Sequence, residues 1–101
     1  MNKRTPVKVS DIRRQYGTDE VSQVKSMQLF VIKGKYCGKY LLISYHTIVG
    51  VLNNLNDCWY LTDKIYSRTT SRQLGYFKSR NYYVVVHQYV VDDLLKDYPC
   101  I

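Results

Sequence analysis

The stretch Lys64-Ile-Tyr-Ser-Arg-Thr-Thr-Ser-Arg-Gln-Leu-Gly-Tyr-Phe-Lys-Ser-Arg80 carries five basic residues and no acidic one. Guanidinium and ammonium groups at this density suit phosphates and carboxylates. The same stretch holds a helix start. Thr70 is an N-cap residue type and Gln73 stands three positions on, the spacing of a capping box. A helix over about 71–80 puts Leu74 and Phe77 on one face. Arg72, Tyr76 and Arg80, at i, i+4 and i+8, line the other. The guanidiniums of such a stripe can meet phosphates while the ring stacks on a base. Arg and Tyr are equally at home at protein–protein hot spots. The candidate binding residues are therefore Lys64, Arg68, Arg72, Tyr76, Lys78 and Arg80. Ser67, Thr69, Thr70 and Ser71 add hydroxyls at the helix N-terminus, where with Arg68 and Arg72 they could hold a phosphate. Helix capping alone accounts for Thr70 and Gln73, and exposed arginines on a helix are ordinary. Gly75, mid-helix, either permits a close approach or is simply tolerated.

Other chemistry is thinly represented. His46 and His87 are the only histidines, and their spacing to Cys58 defines neither a metal site nor a nucleophile. Asp57 and Asp63 flank a strand and a loop without forming a paired acid and base. Lys33-Gly-Lys-Tyr-Cys-Gly-Lys39 is not a phosphate-cradling loop, which needs G-x-x-x-x-G-K-[ST] opening a helix. No catalytic residue, metal or cofactor is expected. The enzyme alternative is a small basic ribonuclease, which can work with scattered Arg, Lys, Tyr and His. A tyrosine recombinase domain would need a longer chain.

The positioning elements must come from 101 residues, which is one domain with one core. The formal charge of +7 favours nucleic acid, an acidic protein surface or an anionic membrane, or serves solubility alone. The eleven tyrosines suit half-buried sheet positions and binding surfaces. Cys37, Cys58 and Cys100 are odd in number with no C-x-x-C, which reads as reduced thiols in a cytosol. No apolar run approaches the ~18 residues of a membrane span, and no apolar segment follows the basic N-terminus as a signal peptide requires. The expected location is the cytoplasm of a host cell, with no membrane partner.

Residues 1–25 read as a basic N-terminal arm with a short helix, Asp11 to Tyr16, capped by Ser10 and stopped by Gly17. Val9, Ile12 and Tyr16 share one side of it; Arg13 and Arg14 face out. Thr18 to Lys25 reads as a loop or second short helix. Residues 26–101 read as a single α+β domain. Met27–Lys33, Tyr40–Ser44 and Cys58–Thr62 have strand composition. Thr47–Leu52 either continues the second strand past a bulge near Tyr45-His46 or returns as a third. Lys33–Lys39 looks like a hairpin loop and Asn53–Asp57 like a turn. Tyr82–His87 is a further strand. Val90, Val91, Leu94, Leu95 and Tyr98 then repeat as in a helix, with Asp92 and Asp93 in its first turn and Pro99 ending it. A strand extended through Val91 is the competing reading.

Two segments, Ser44-Tyr-His-Thr-Ile-Val-Gly50 and Thr62-Asp-Lys-Ile-Tyr-Ser-Arg-Thr-Thr-Ser-Arg-Gln73, resemble a pattern found in small phage and mobile-element proteins. In that pattern an S-Y-x-T-x-V-[AG] strand precedes a Y-S-x-T-T-S-[KR]-[HQ] helix start. The resemblance covers roughly residues 40 to 80. It implies a small α+β domain of viral or mobile-element origin and brings no established activity. Gln73 stands where the pattern more often has His, which speaks against a His-dependent role.

The expected fold is α+β: an antiparallel sheet of four or five strands, with the 71–80 helix and a C-terminal helix packed on it. The expected function is non-catalytic. A phage or mobile-element accessory protein would bind and inhibit a host nucleic-acid-handling complex, a CRISPR nuclease being the named candidate by analogy of gene class. Direct nucleic-acid binding is the alternative of a second kind, and the ribonuclease of a third. Exposed Tyr and Val positions on an edge strand could also pair two copies into a homodimer.

Overall fold

The computed structural model describes residues 7–17, 20–25, 27–33, 40–45, 47–53, 57–64 and 67–94. They form three helices and one six-stranded mixed sheet. Along the chain these are α1 (Val9–Tyr16), β1 (Val21–Gln23), β2 (Leu29–Lys33), β3 (Tyr40–Ser44), β4 (Thr47–Asn53), β5 (Cys58–Thr62), α2 (Arg68–Lys78), β6 (Tyr83–Val86) and α3 (Gln88–Leu94). The strands lie in sequence order from β1 to β6. The first five are antiparallel neighbours. β6 runs parallel to β5, with Trp59 opposite Tyr83 and Thr62 opposite Val86.

The α+β class holds, and the sheet differs from the expected one at both edges. Val21–Gln23, read as loop or helix, pairs with Phe30–Ile32 as β1. Its three residues are too few for a period to emerge from sequence. At the other edge, α2 carries the chain back across the sheet, so the strand after it must run parallel to β5. The stretch after Ser44 returns as its own strand: Ser44 pairs with Thr47, and Tyr45 turns the chain with φ +57°. Lys33 and Tyr40 are paired across β2 and β3; the expected hairpin loop between them lies outside the described residues, as do residues 54–56 of the expected Asn-rich turn.

The sheet is covered on both faces. Phe30, Ile32, Leu41, Ile43 and Val51 face α1 and α3, whose Ile12 and Val91 are fully buried with them. Leu29, Leu42, Val49, Trp59 and Leu61 face α2, whose Leu74 and Phe77 fill the middle of that layer. Phe77 meets Trp59 edge to face at 5.1 Å between ring centroids.

α1 starts two residues earlier than expected. Lys8 is the N-cap, and its backbone N–H donates to Asp11 Oδ2 at 3.1 Å, so Asp11 rather than Ser10 secures the first turn. Gly17, at φ +61°, ends the helix as expected, with its N–H on the Arg13 carbonyl. Arg13 and Arg14 are exposed, and Arg14 pairs with Asp11 at 3.1 Å. After β6 the chain turns at once into α3, so residues 88–91 are helical. The helix begins at Gln88, which leaves Asp92 and Asp93 beyond its first turn. Leu95, Tyr98 and Pro99 lie outside the described residues.

β4 carries a bulge. Leu42 pairs with Gly50 and Ile43 with Ile48, leaving Val49 as the extra residue. A Cβ at position 50 would lie 2.6 Å from Leu61 Cδ2 and 3.3 Å from the Tyr60 carbonyl oxygen. Leu61 is fully buried and has nowhere to swing. Gly50→Ala is therefore expected to lower stability by about 1–3 kcal/mol, the range for overpacking a closed core, measured as a shift of the urea midpoint at unchanged slope.

Candidate binding face on α2

α2 docks through Thr70, Gln73, Leu74 and Phe77, which are its buried residues. Their spacing fixes which side faces out. Arg68, Arg72, Gly75 and Ser79 are exposed, and Tyr76 is half-buried on one flank. The expected docking through Leu74 and Phe77 is present, with Arg72 and Arg80 in solvent.

The helix starts earlier than its sequence suggests. Ser67, not Thr70, is the N-cap: its Oγ accepts from the Thr70 backbone N–H at 3.1 Å. Thr70 sits in the first turn with its side chain buried. Both residues have capping chemistry, and tertiary packing decides between them. Thr70 is drawn into the buried contact with Ser44, so the exposed end of the helix is left to Ser67.

Thr70 and Gln73 serve a different purpose. Ser44 Oγ on β3 donates to Gln73 Oε1 at 2.6 Å and lies 3.1 Å from Thr70 Oγ1. Ser67 Oγ in turn donates to Thr70 Oγ1 at 3.2 Å. With the Ser44 proton directed at Gln73, Thr70 is the donor to Ser44. The hydroxyls thus run in one direction, Ser67 to Thr70 to Ser44, and end on the amide carbonyl of Gln73. All the buried side-chain polar atoms among the described residues are satisfied. The segments around Ser44 and Ser67 meet through this chain. It also absorbs two of the hydroxyls that could have held a phosphate, leaving Thr69 and Ser71 exposed.

The six candidate binding residues fall into four groups. Tyr76 has two cations at its ring, Arg80 4.8 Å and Lys25 5.3 Å from its centroid. Lys78, on the opposite flank, lies 5.5 Å from the Tyr83 ring. Arg68 and Arg72 stand one turn apart on the outermost face. Lys64 lies ahead of the helix, exposed, with its backbone N–H on Thr62 Oγ1 at 3.1 Å. Among the described residues, no carboxylate lies within ion-pair distance of Arg68, Arg72, Lys78 or Arg80. Beside the end of α2, Arg80 joins Asp57, Trp59, Ser79, Asn81 and Tyr82 around an open cleft of about 430 Å³. Asn81 is fixed there by its Nδ2 donating to the Phe77 carbonyl at 2.9 Å.

Two further placements were not legible in the sequence. Lys25 reaches Tyr76 from 51 positions away. His87 Nδ1 lies 2.7 Å from Asp63 Oδ2, because the parallel pairing sets the end of β6 beside the end of β5. His87 also stacks on Tyr89 at 5.5 Å. Only the parallel register could have revealed that pair. Among the described residues no group of three His, Cys, Asp or Glu could hold a metal. Cys58 is half-buried, its Sγ 3.8 Å from the Trp59 carbonyl oxygen.

Ser44→Ala would leave the Gln73 carbonyl and the Thr70 hydroxyl without their buried partner. The expected loss is about 1–3 kcal/mol in chemical denaturation, against a few tenths for the exposed Thr69→Ala. Gly75 has open space where a Cβ would be. Gly75→Ala is accordingly expected to stabilise the chain by up to about 1 kcal/mol, read from the same denaturation curves.

Among the described residues no helix is long and apolar enough to cross a membrane. Comparison of the chain with family models, with curated proteins and with solved structures yields no match.

Proposed function

We propose that the chain is a non-catalytic binding protein that uses the outer face of α2 to occupy the nucleic-acid site of a host nucleic-acid-handling complex, in the manner of a phage or mobile-element inhibitor. The observation that supports this reading is the uncompensated charge of that face. Arg68, Arg72, Lys78 and Arg80 project from one rigid helix and its end with no carboxylate bridging them among the described residues. A helix docked by Leu74, Phe77 and a buried hydroxyl chain offers these cations without the entropy cost of ordering a loop. Tyr76, in contact with Lys25 and Arg80, adds an aromatic ring to the same face. A CRISPR nuclease is the target class to try first, with direct nucleic-acid binding as the simpler form of the same chemistry.

The ribonuclease reading has one observation in its favour, the His87–Asp63 pair at 2.7 Å. A carboxylate on Nδ1 orients an imidazole so that Nε2 can act as a base. Lys64 and the start of α2 follow Asp63 directly in sequence, so cations for a phosphate are near at hand.

A mobility-shift titration with single- and double-stranded DNA and RNA at two salt concentrations separates these. The native chain is expected to bind with strong salt dependence, and Arg72→Ala/Arg80→Ala to lose affinity and flatten the duplex salt slope by about 0.9 per contact removed. Binding that survives the double substitution would remove α2 from the function. Stoichiometric inhibition of a nuclease without turnover favours the inhibitor reading. Metal-independent RNA cleavage that is abolished by His87→Ala would replace it with the ribonuclease.

A further inference from the structure

The two edges of the sheet are built differently. β1 has three residues, exposes Ser22 and Gln23, and is flanked by the Lys33–Glu20 ion pair at 4.0 Å. Polarity and shortness of this kind keep an edge from pairing with another chain. β6, at the other edge, is uncharged from Tyr82 to Val86 and contains no proline. Tyr82 is 84% exposed, Val84 43% and Val85 48%, so large apolar side chains stand in water on both sides of the strand.

We propose that β6 is a homodimer interface, where a second copy of this chain pairs antiparallel about a two-fold axis at Val84. The backbone sets the register. The carbonyls of Tyr82 and Val86 accept from Trp59 and Asp63, both in the direction of β5. By strand alternation the N–H and C=O groups of Tyr83 and Val85 then point to the open side. A two-fold axis at Val84 places each Tyr83 opposite the other copy's Val85. The two residues exchange both backbone hydrogen bonds, and the axis repeats that exchange. Val84 meets its own symmetry mate in the closer, non-hydrogen-bonded position. Val84 shares a face with Tyr60, while Tyr83 and Val85 share one with Trp59 and Leu61, so apolar contact forms on both faces.

Charge favours a second copy over another uncharged strand. Lys78 and Arg80, against the single carboxylate of Asp57, lead into β6, and Asp63, Asp92 and Asp93, against the single ammonium of Lys64, follow at its far end. Antiparallel pairing sets the basic entry of each strand beside the acidic exit of its mate, an arrangement that a parallel pair would reverse into like against like. The result is one continuous twelve-stranded sheet, twice the six strands of each chain, with one α2 face per copy.

Sedimentation velocity and light scattering across the micromolar range test this. The expected species is a dimer, twice the 12.0 kDa of the chain. Val84→Lys sets two like charges opposite each other on the axis and is expected to raise the dimer Kd by about tenfold or more at unchanged circular dichroism. Val84→Cys supplies a second arm in case the lysine disturbs folding. The closer position brings Cα atoms to about 4.5 Å, within disulfide range, so mild oxidation is expected to link Val84→Cys chains far more than the native chain or Ser71→Cys on the outer face of α2. A monomeric native chain overturns the proposal, whether residues 95–101 or a different protein occupy the edge. So does a dimer indifferent to Val84→Lys, or oxidation that links Val84→Cys no better than Ser71→Cys.

Discussion

The seating of α2 on the sheet is the constraint from which the rest follows. Leu74 and Phe77 supply the apolar contact with Trp59, Leu61 and their neighbours, and could do so at several rotations of the helix. The hydroxyl chain from Ser67 through Thr70 and Ser44 to Gln73 permits far fewer. Hydrophobic contact is non-directional, whereas a buried hydrogen bond demands both distance and angle. Once that rotation is set, Arg68 and Arg72 must face solvent, Tyr76 must meet Lys25, and the chain must leave the helix beside β5.

Much of this was legible in the residues. β3 and β5 were read at their observed limits, because each is a short apolar run between turn residues. The cationic side of α2 followed from the spacing of Leu74 and Phe77, which fixes a face whichever residue begins the helix. The start itself did not follow. Ser67, Thr70 and Gln73 all have capping chemistry, and only the buried partner Ser44, more than twenty positions away, assigns Thr70 and Gln73 to a network instead. β1 escaped because three residues show no period, and the parallel direction of β6 because composition carries no sense of direction. The His87–Asp63 and Lys25–Tyr76 contacts depend on those long-range placements and were hidden with them.

The molecule also distributes its chemical duties in space. One layer, with α1 and α3, is closed by Ile12 and Val91. The other turns a cationic helix to solvent. The outer edge strand is apolar where charged residues are usually placed to prevent pairing. The two features adjoin rather than stand apart, since Lys78 lies 5.5 Å from the ring of Tyr83 on that edge.

The crossover that builds β6 shapes the order of assembly. β1 to β5 are successive antiparallel neighbours, so each new pairing closes a short loop. β6 is different: Tyr83 pairs with Trp59, 24 positions earlier, and only after α2 has crossed the sheet. A strand with one partner, reached through the longest loop, is the last to gain from cooperative packing and the first to open locally. The backbone amides of Val84 and Val86, which face β5, would then exchange with solvent through small openings, while those of β3 would wait for global unfolding. The same late strand leaves an apolar edge uncovered during folding, so the chain is most prone to mispairing in the interval before α2 docks.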